Sequence, residues 1–312
     1  MKIMKHSTYG AALVAVAGLI LVGSGTAALA TTLNGDWAPF TRCPVDNPSM
    51  LAADGVNIVA DCLATSSPSG SVKLGNSTLA TGATNLQLGV LINTNTSTDT
   101  AVAPSGGAIV AAPVQVPGGL LGLMCPSNIP IITQICNSIT NNKLNALTAT
   151  IQPAGNPSNL NVANAFTQGA TVVTLPVKIH LSNPLLGSNC YIGSNSSPIV
   201  LNPKTVVVPP NSSSDLFDPN GTPDPNGTMV AVTLSGGTLA DKTFAVPGAS
   251  GCGPFGLADF AVNLKQGLPS PSGNNSLVLN NVTMNIAGFV DPTSVAPTEG
   301  KALSAAWHSA VK

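Results

Sequence analysis

Val173-Thr174-Leu175-Pro176-Val177-Lys178-Ile179-His180-Leu181 puts an aliphatic side chain at every second position. Successive strand residues point to opposite faces of a sheet, so this spacing predicts a strand with Val173, Leu175, Val177, Ile179 and Leu181 buried and with Lys178 and His180 on the outer face. Pro176 lacks an amide donor and predicts an edge position or a bulge. The same alternation recurs in Leu86, Leu88, Val90 and Ile92 and in Phe260, Val262 and Leu264, which are read as two further strands.

Between such runs the chain is punctuated by Gly, Pro, Ser and Asn, and helical spacing is not sustained. Short helices are expected only at Ile129–Thr140 and Lys301–Val311. Turn-rich connections without parallel crossovers predict an all-β fold of two antiparallel β-sandwich-like units stapled by disulfides. The expected segments are a signal peptide over 1–30, an irregular stretch over 31–53, a first β unit over 54–165 and a second over 166–312.

The signal reading rests on Lys2 and Lys5, the apolar run Ala11–Val22 and Ala28-Leu29-Ala30 as a cleavage site. Six cysteines then lie in the exported part, an even number that favours three bridges in an oxidising compartment. Two pairing schemes follow from their positions. Cys62 and Cys125 are spaced almost as Cys190 and Cys252 are, and similar phrases recur in order around both pairs: Val116-Pro117-Gly118-Gly119 beside Val246-Pro247-Gly248-Ala249, and Asn141-Asn142-Lys143-Leu144 beside Asn274-Asn275-Ser276-Leu277. An internal duplication would give Cys62–Cys125, Cys190–Cys252 and Cys43–Cys136. Pairing of near neighbours would give Cys43–Cys62, Cys125–Cys136 and Cys190–Cys252. Cys190–Cys252 is common to both.

Only 7% of the residues are charged while 44% are hydrophobic, and the net charge is −1. Nucleic-acid binding would need a clustered basic face, which this composition does not supply. Asp218-Pro219-Asn220-Gly221-Thr222-Pro223-Asp224-Pro225-Asn226-Gly227 offers Asp218, Asn220, Asp224 and Asn226 as oxygen ligands for calcium, the one cofactor the sequence suggests. No bidentate carboxylate closes that loop, and consecutive Asx turns explain the same residues. A hydrolase would draw on Ser105 or Ser250, set among glycines, and on His180 or His308, but no nucleophile motif joins them. Trp37 and Trp307 are expected to pack over sheet edges.

Leu120-Leu121-Gly122-Leu123-Met124-Cys125-Pro126-Ser127-Asn128-Ile129-Pro130, His180-Leu181-Ser182-Asn183-Pro184-Leu185-Leu186-Gly187-Ser188-Asn189-Cys190-Tyr191-Ile192-Gly193-Ser194 and Ala305-Ala306-Trp307-His308 together resemble uncharacterised secreted proteins of actinobacteria. The resemblance implies export and brings no reaction or catalytic residue with it. The expectation is an extracellular or envelope-associated, non-catalytic β protein with a structural or binding role, with self-association or an envelope component as partner. The alternative is a carrier of a lipid or other apolar ligand, and the third reading is a secreted hydrolase.

Overall fold

The computed structural model describes residues 31–125, 130–139 and 142–312; the expected signal peptide lies outside the described residues. Residues 31–312 form one compact unit, mostly β, with two antiparallel sheets. The chain begins in the larger sheet with β1 (Ile58–Ser67), β2 (Ser69–Leu74), β3 (Ser77–Ala80), β4 (Thr84–Asn93), β5 (Thr98–Val102) and β6 (Ile109–Ala111). It crosses to the smaller sheet with β7 (Val114–Gln115), β8 (Thr148–Pro153), β9 (Leu175–Ser182), β10 (Tyr191–Ile192) and β11 (Ile199–Leu201). It returns with β12 (Lys204–Val207), β13 (Asn211–Phe217) and β14 (Met229–Asp241), adds β15 (Ala249–Ser250) to the smaller sheet, and ends in the larger one with β16 (Ser276–Phe289).

That order corrects the expected division at residue 165. The spine of the larger sheet runs β12-β14-β16-β1-β4-β5, so β16 pairs with β1 on one side and β14 on the other. Segments matched in the duplication also take different roles. Cys62 sits within β1 of the larger sheet, whereas Cys190 precedes β10 of the smaller one. The bridges are Cys43–Cys62, Cys125–Cys136 and Cys190–Cys252, which is the near-neighbour scheme; Cys62–Cys125 and Cys43–Cys136 are not formed.

β9 alternates as its sequence demands, with Leu175, Val177, Ile179 and Leu181 buried and Lys178 and His180 half-buried on the other face. It is an internal strand, however, between β8 and β10 with β11, so Pro176 is not at an edge. The proline is tolerated because a strand residue directs its N and O to the same side. Pro176 O accepts from Ala154 N, just past the end of β8, and the missing donor therefore faces the place where the ladder stops.

The two sheets enclose an aliphatic core that includes Leu63, Leu88 and Met284 from the larger and Val177, Ile179 and Leu181 from the smaller. A second core covers the other face of the larger sheet at one end. There the sheet offers small residues, Ala60, Cys62, Ala64, Ala231 and Ala287, and the chain termini bring large ones, Trp37, Phe40, Met50, Leu303 and Trp307. Residues 31–53 carry a 3-10 helix (Gly35–Phe40) and α1 (Pro48–Leu51), and no strand. Both tryptophans are inside this layer rather than at sheet edges: Trp37 Nε1 donates to Pro219 O at 3.0 Å and Trp307 Nε1 to Phe40 O at 2.8 Å.

The other α-helices among the described residues are α2 (Gly119–Met124), α3 (Pro130–Ser138), α4 (Asn142–Asn145), α5 (Asp259–Gln266) and α6 (Glu299–Ser309). The expected helices over Ile129–Thr140 and Lys301–Val311 correspond to α3 and α6. The expected strand through Phe260, Val262 and Leu264 is instead α5. Its Val262 is buried while Phe260 and Leu264 face solvent, so alternation along the sequence did not mark a sheet face. Among the described residues no helix is long and apolar enough to cross a membrane.

Candidate functional site

The outer face of the larger sheet is clasped by the termini at one end and open at the other. Across the open end runs the row Val110, Asn85, Ser66 and Thr283, contributed by β6, β4, β1 and β16 in register. These residues, with Pro68 and Asn281, line a groove of about 720 Å³. No ionisable side chain lines it, which follows from a sequence that builds its polar surface from Ser, Thr and Asn.

Arg42, the only arginine of the chain, fixes one wall from behind. Its Nη1 donates to Gly107 O at 3.0 Å, and its Nη2 donates to Ala108 O at 3.0 Å and to Asn85 Oδ1 at 3.2 Å. Asn85 Oδ1 also accepts from Gln87 Nε2 at 3.0 Å, so the side chain that faces the groove is held from two directions. Burial lowers the Arg42 pKa from its ordinary value, and the guanidinium is compensated by carbonyl oxygens in place of a carboxylate.

Ser66, Ser67 and Thr84 belong both to this groove and to a crevice between the sheets. The crevice is about 60 Å³ and almost wholly apolar, with Leu63, Leu86 and Met284 on the larger sheet and Val172, Val173 and Leu175 opposite. The space between the sheets is thus largely filled by side chains, and what remains opens at the ends of β1 and β4. Thr65 lines the crevice, and its Oγ1 is buried without a hydrogen-bond partner. An orphaned hydroxyl in apolar surroundings costs about 1–3 kcal/mol unless water or a ligand supplies the bond.

No family model, no curated protein and no solved structure matches the chain.

The residues singled out for other chemistry are dispersed. Asp218, Asn220, Asp224 and Asn226 lie in a hairpin whose side chains serve its own turns. Asp218 Oδ1 accepts from Thr222 N at 2.9 Å, Asn220 Oδ1 from Thr222 Oγ1 at 2.6 Å, and Asp224 Oδ1 from Asn226 N at 2.9 Å. The loop carbonyls are engaged with the termini: Pro219 O accepts from Trp37 and from Ser309 Oγ, and Gly221 O from Asp36 N. Among the described residues no group of three or more His, Cys, Asp or Glu side chains is placed to hold a metal ion.

His180, Tyr191 and Ser250 occupy one cross-strand row of the smaller sheet, with Tyr191 between the other two. Two ladder spacings separate histidine from serine, about 9–10 Å, beyond hydrogen-bond reach. His180 instead lies against Tyr191 with ring centroids 4.8 Å apart, and Lys178 Nζ stands 4.8 Å from the same ring. Ser105 is exposed in the connection between β5 and β6 of the other sheet. His308 is bound by Asp46 at 2.9 Å, and Ser304 Oγ donates to the same carboxylate at 2.7 Å. Serine, aspartate and histidine meet there, but the carboxylate stands in the middle and engages the hydroxyl as a donor, so the imidazole does not activate it. Hydrogen bonds from His308 and Ser304 hold the Asp46 carboxyl below its ordinary pKa.

Two carboxyls are shifted the other way. Glu299, the only glutamate, is fully buried at the start of α6; its Oε2 accepts from Ala60 N at 3.1 Å and its Oε1 is orphaned. Ala60 lies just beyond the residues of β1 that pair with β16, and the carboxyl stands in for the missing strand partner. Burial, with Asp61 and Asp54 nearby, pushes Glu299 up to about 7. Asp61 packs on the backbone of Gly288, where any side chain would collide with it, and burial with the charge of Asp99 pushes it up to about 7 as well. Glu299 thereby ties the start of α6 to β1, while Asp61 sits on β16 at Gly288. Sequence alone marked Glu299 only as the single glutamate and gave no sign that it was buried.

Proposed function

We propose that the protein is exported and acts outside the cytoplasm as a non-catalytic binding protein for an uncharged amphiphile. The observation that carries this reading is the continuity of an ion-free groove, in which serine, threonine and asparagine alternate with alanine, valine and proline, with an apolar crevice at a shared mouth formed by Ser66, Ser67 and Thr84. A hydroxyl-rich head group would lie along Asn85, Ser66 and Thr283, and a hydrocarbon end would enter between the sheets. The crevice, at about 60 Å³, has room for the end of a chain and not for a whole lipid. Three disulfides support a working place in oxidising surroundings.

The test uses dodecyl maltoside, kept below its micellar concentration, as a neutral amphiphile. Titration should give a saturable heat and raise Tm, and Thr84→Trp, which fills the mouth, should abolish both while leaving the far-ultraviolet circular dichroism unchanged. A wild-type protein that gives no saturable heat, or a Thr84→Trp protein that binds as well as wild type, would sink the reading.

A further inference from the structure

α5 exposes its largest apolar side chains and turns polar ones inward. Its polar side chains face the protein: Asp259 accepts from Cys252 N at 2.7 Å and Gly251 N at 3.2 Å, Asn263 Oδ1 accepts from Ala249 N at 2.6 Å, and Gln266 Nε2 donates to Leu123 O at 2.8 Å. Ala261 and Val262 pack into the core, but the two largest apolar side chains face solvent, with Phe260 63% and Leu264 71% exposed. The turn ahead of the helix extends this face with Leu257 at 48% and Phe255 at 103% exposure. Leu257, Phe260 and Leu264 follow the three- and four-residue spacing that brings side chains together on one side of a helix.

Phe255 is held out deliberately. It has φ +56°, a region that a bulky residue seldom enters unless its surroundings enforce it, and Gly253 and Gly256 on either side also have positive φ. The base of this turn is anchored by Cys190–Cys252 and by the two amides bound to Asp259. The result is a rigid tip whose most prominent atoms are an unpartnered phenyl ring.

Area and charge decide what the face fits. The four side chains expose on the order of 500 Å², short of the roughly 800 Å² per partner of a stable protein interface. Insertion of a tip among lipid head groups needs no such area. Between Gly251 and Gly267 the only ionisable side chains are Asp259 and Lys265. The acid is half-buried against backbone amides and the lysine is exposed, so Lys265 is the charge that projects to solvent beside the apolar face. An apolar wedge flanked by a cation complements an anionic lipid surface.

We propose that Phe255, Leu257, Phe260 and Leu264 form a lipid-docking face that seats the protein on anionic membranes. This does not depend on the groove, which lies on the larger sheet.

The test is co-sedimentation of a chain beginning at Thr31, which contains both cores and all three disulfides, with vesicles of phosphatidylcholine alone or mixed with phosphatidylglycerol. The protein should sediment with the mixed vesicles, and Phe255→Ser/Leu264→Ser should weaken partition about tenfold or more. Both substituted sites are exposed, so circular dichroism and Tm should be unchanged. Lys265→Glu should weaken binding to the mixed vesicles more than to phosphatidylcholine. Phe255→Trp should give an emission that shifts to the blue on vesicles, against a constant background from the buried Trp37 and Trp307. Wild-type protein left in the supernatant of both vesicle types would overturn the proposal. So would serine variants that sediment as well as wild type, or a dimer in sedimentation velocity that Phe255→Ser abolishes while vesicle binding persists.

Discussion

The two cores that share the larger sheet are built on opposite plans. Between the sheets, both surfaces contribute medium-sized aliphatic side chains from many strands. On the outer face the centre of the sheet contributes a floor of alanines and a half-cystine, flanked by Phe217 and Met229, and the termini bring Trp37, Phe40, Met50, Leu303 and Trp307 down onto it. Trp37 meets Phe217 edge-on at 5.5 Å and Phe40 at 5.9 Å, and a side chain at Gly89 would run into Met50. Small residues on the sheet are therefore what allow the aromatic clasp to approach. One core is made by pairing strands, the other by closing the chain ends over them. Cys43–Cys62 fastens that closure by joining the N-terminal segment to β1.

Because β1 carries both cores on its two faces, damage to the clasp should be felt by the whole unit. Trp37→Ala removes a fully buried ring and is expected to lower stability by about 3–5 kcal/mol. Urea unfolding followed by circular dichroism should remain one transition. Two resolved transitions, with the sheets surviving the first, would show that the clasp is a separable layer and break the comparison.

Glu299 allows a finer test. The folded protein holds its proton up to about pH 7, whereas an unfolded glutamate releases it near 4.5. The contribution is therefore complete below pH 4.5 and declines as pH rises to about 7, by on the order of 3 kcal/mol. Glu299→Gln keeps an acceptor for Ala60 N, so it should reduce this slope and stabilise the protein at pH 8. Asp61, shifted in the same direction, accounts for the slope that should remain in Glu299→Gln and vanish in Glu299→Gln/Asp61→Asn. A Tm that rises from pH 5 to 8 in both wild type and Glu299→Gln would contradict this assignment.

The smallest effect is expected at the Asp218–Gly227 hairpin, which touches the clasp through its carbonyls. Asp224→Ala removes one Asx turn and should cost less than about 1 kcal/mol. Calcium added to chelator-treated protein should leave Tm unchanged in both the wild type and the variant. A calcium-dependent rise in Tm, lost in Asp224→Ala, would make the hairpin a metal site rather than a strut.

The sequence is legible where a strand has one buried and one open face. β9 and β4 could be read from their alternation because water enforces the contrast. β1 could not, since Ala60, Cys62 and Ala64 are buried on one side and Leu63 on the other, and the period of two fades. β13 is exposed at every residue except Phe217, so its Asn, Ser and Asp look like loop. α5 misled for the opposite reason: Phe260 and Leu264 are apolar without being core, while Val262 between them is buried, and only the carbonyls and amides the helix serves show which way it faces. The Asp218–Gly227 loop was conspicuous, but its service to Trp37 and Ser309 is long-range and leaves no local trace. The groove is likewise a product of register, since Asn85, Ser66 and Thr283 come from three distant segments.

The position of β16 fixes an order of assembly. It is the last strand in the chain, yet it lies inside the larger sheet, hydrogen-bonded to both β1 and β14. Until residue 289 has emerged, β1 and β14 have no common neighbour and the sheet stays in two pieces with open edges. The clasp must wait still longer, because its C-terminal half is α6. Closure of the larger sheet therefore waits for β16, and most contacts span distant segments, which favours slow closure. A chain that cannot complete its central sheet early keeps β1 and β14 as unpaired edges until β16 comes between them.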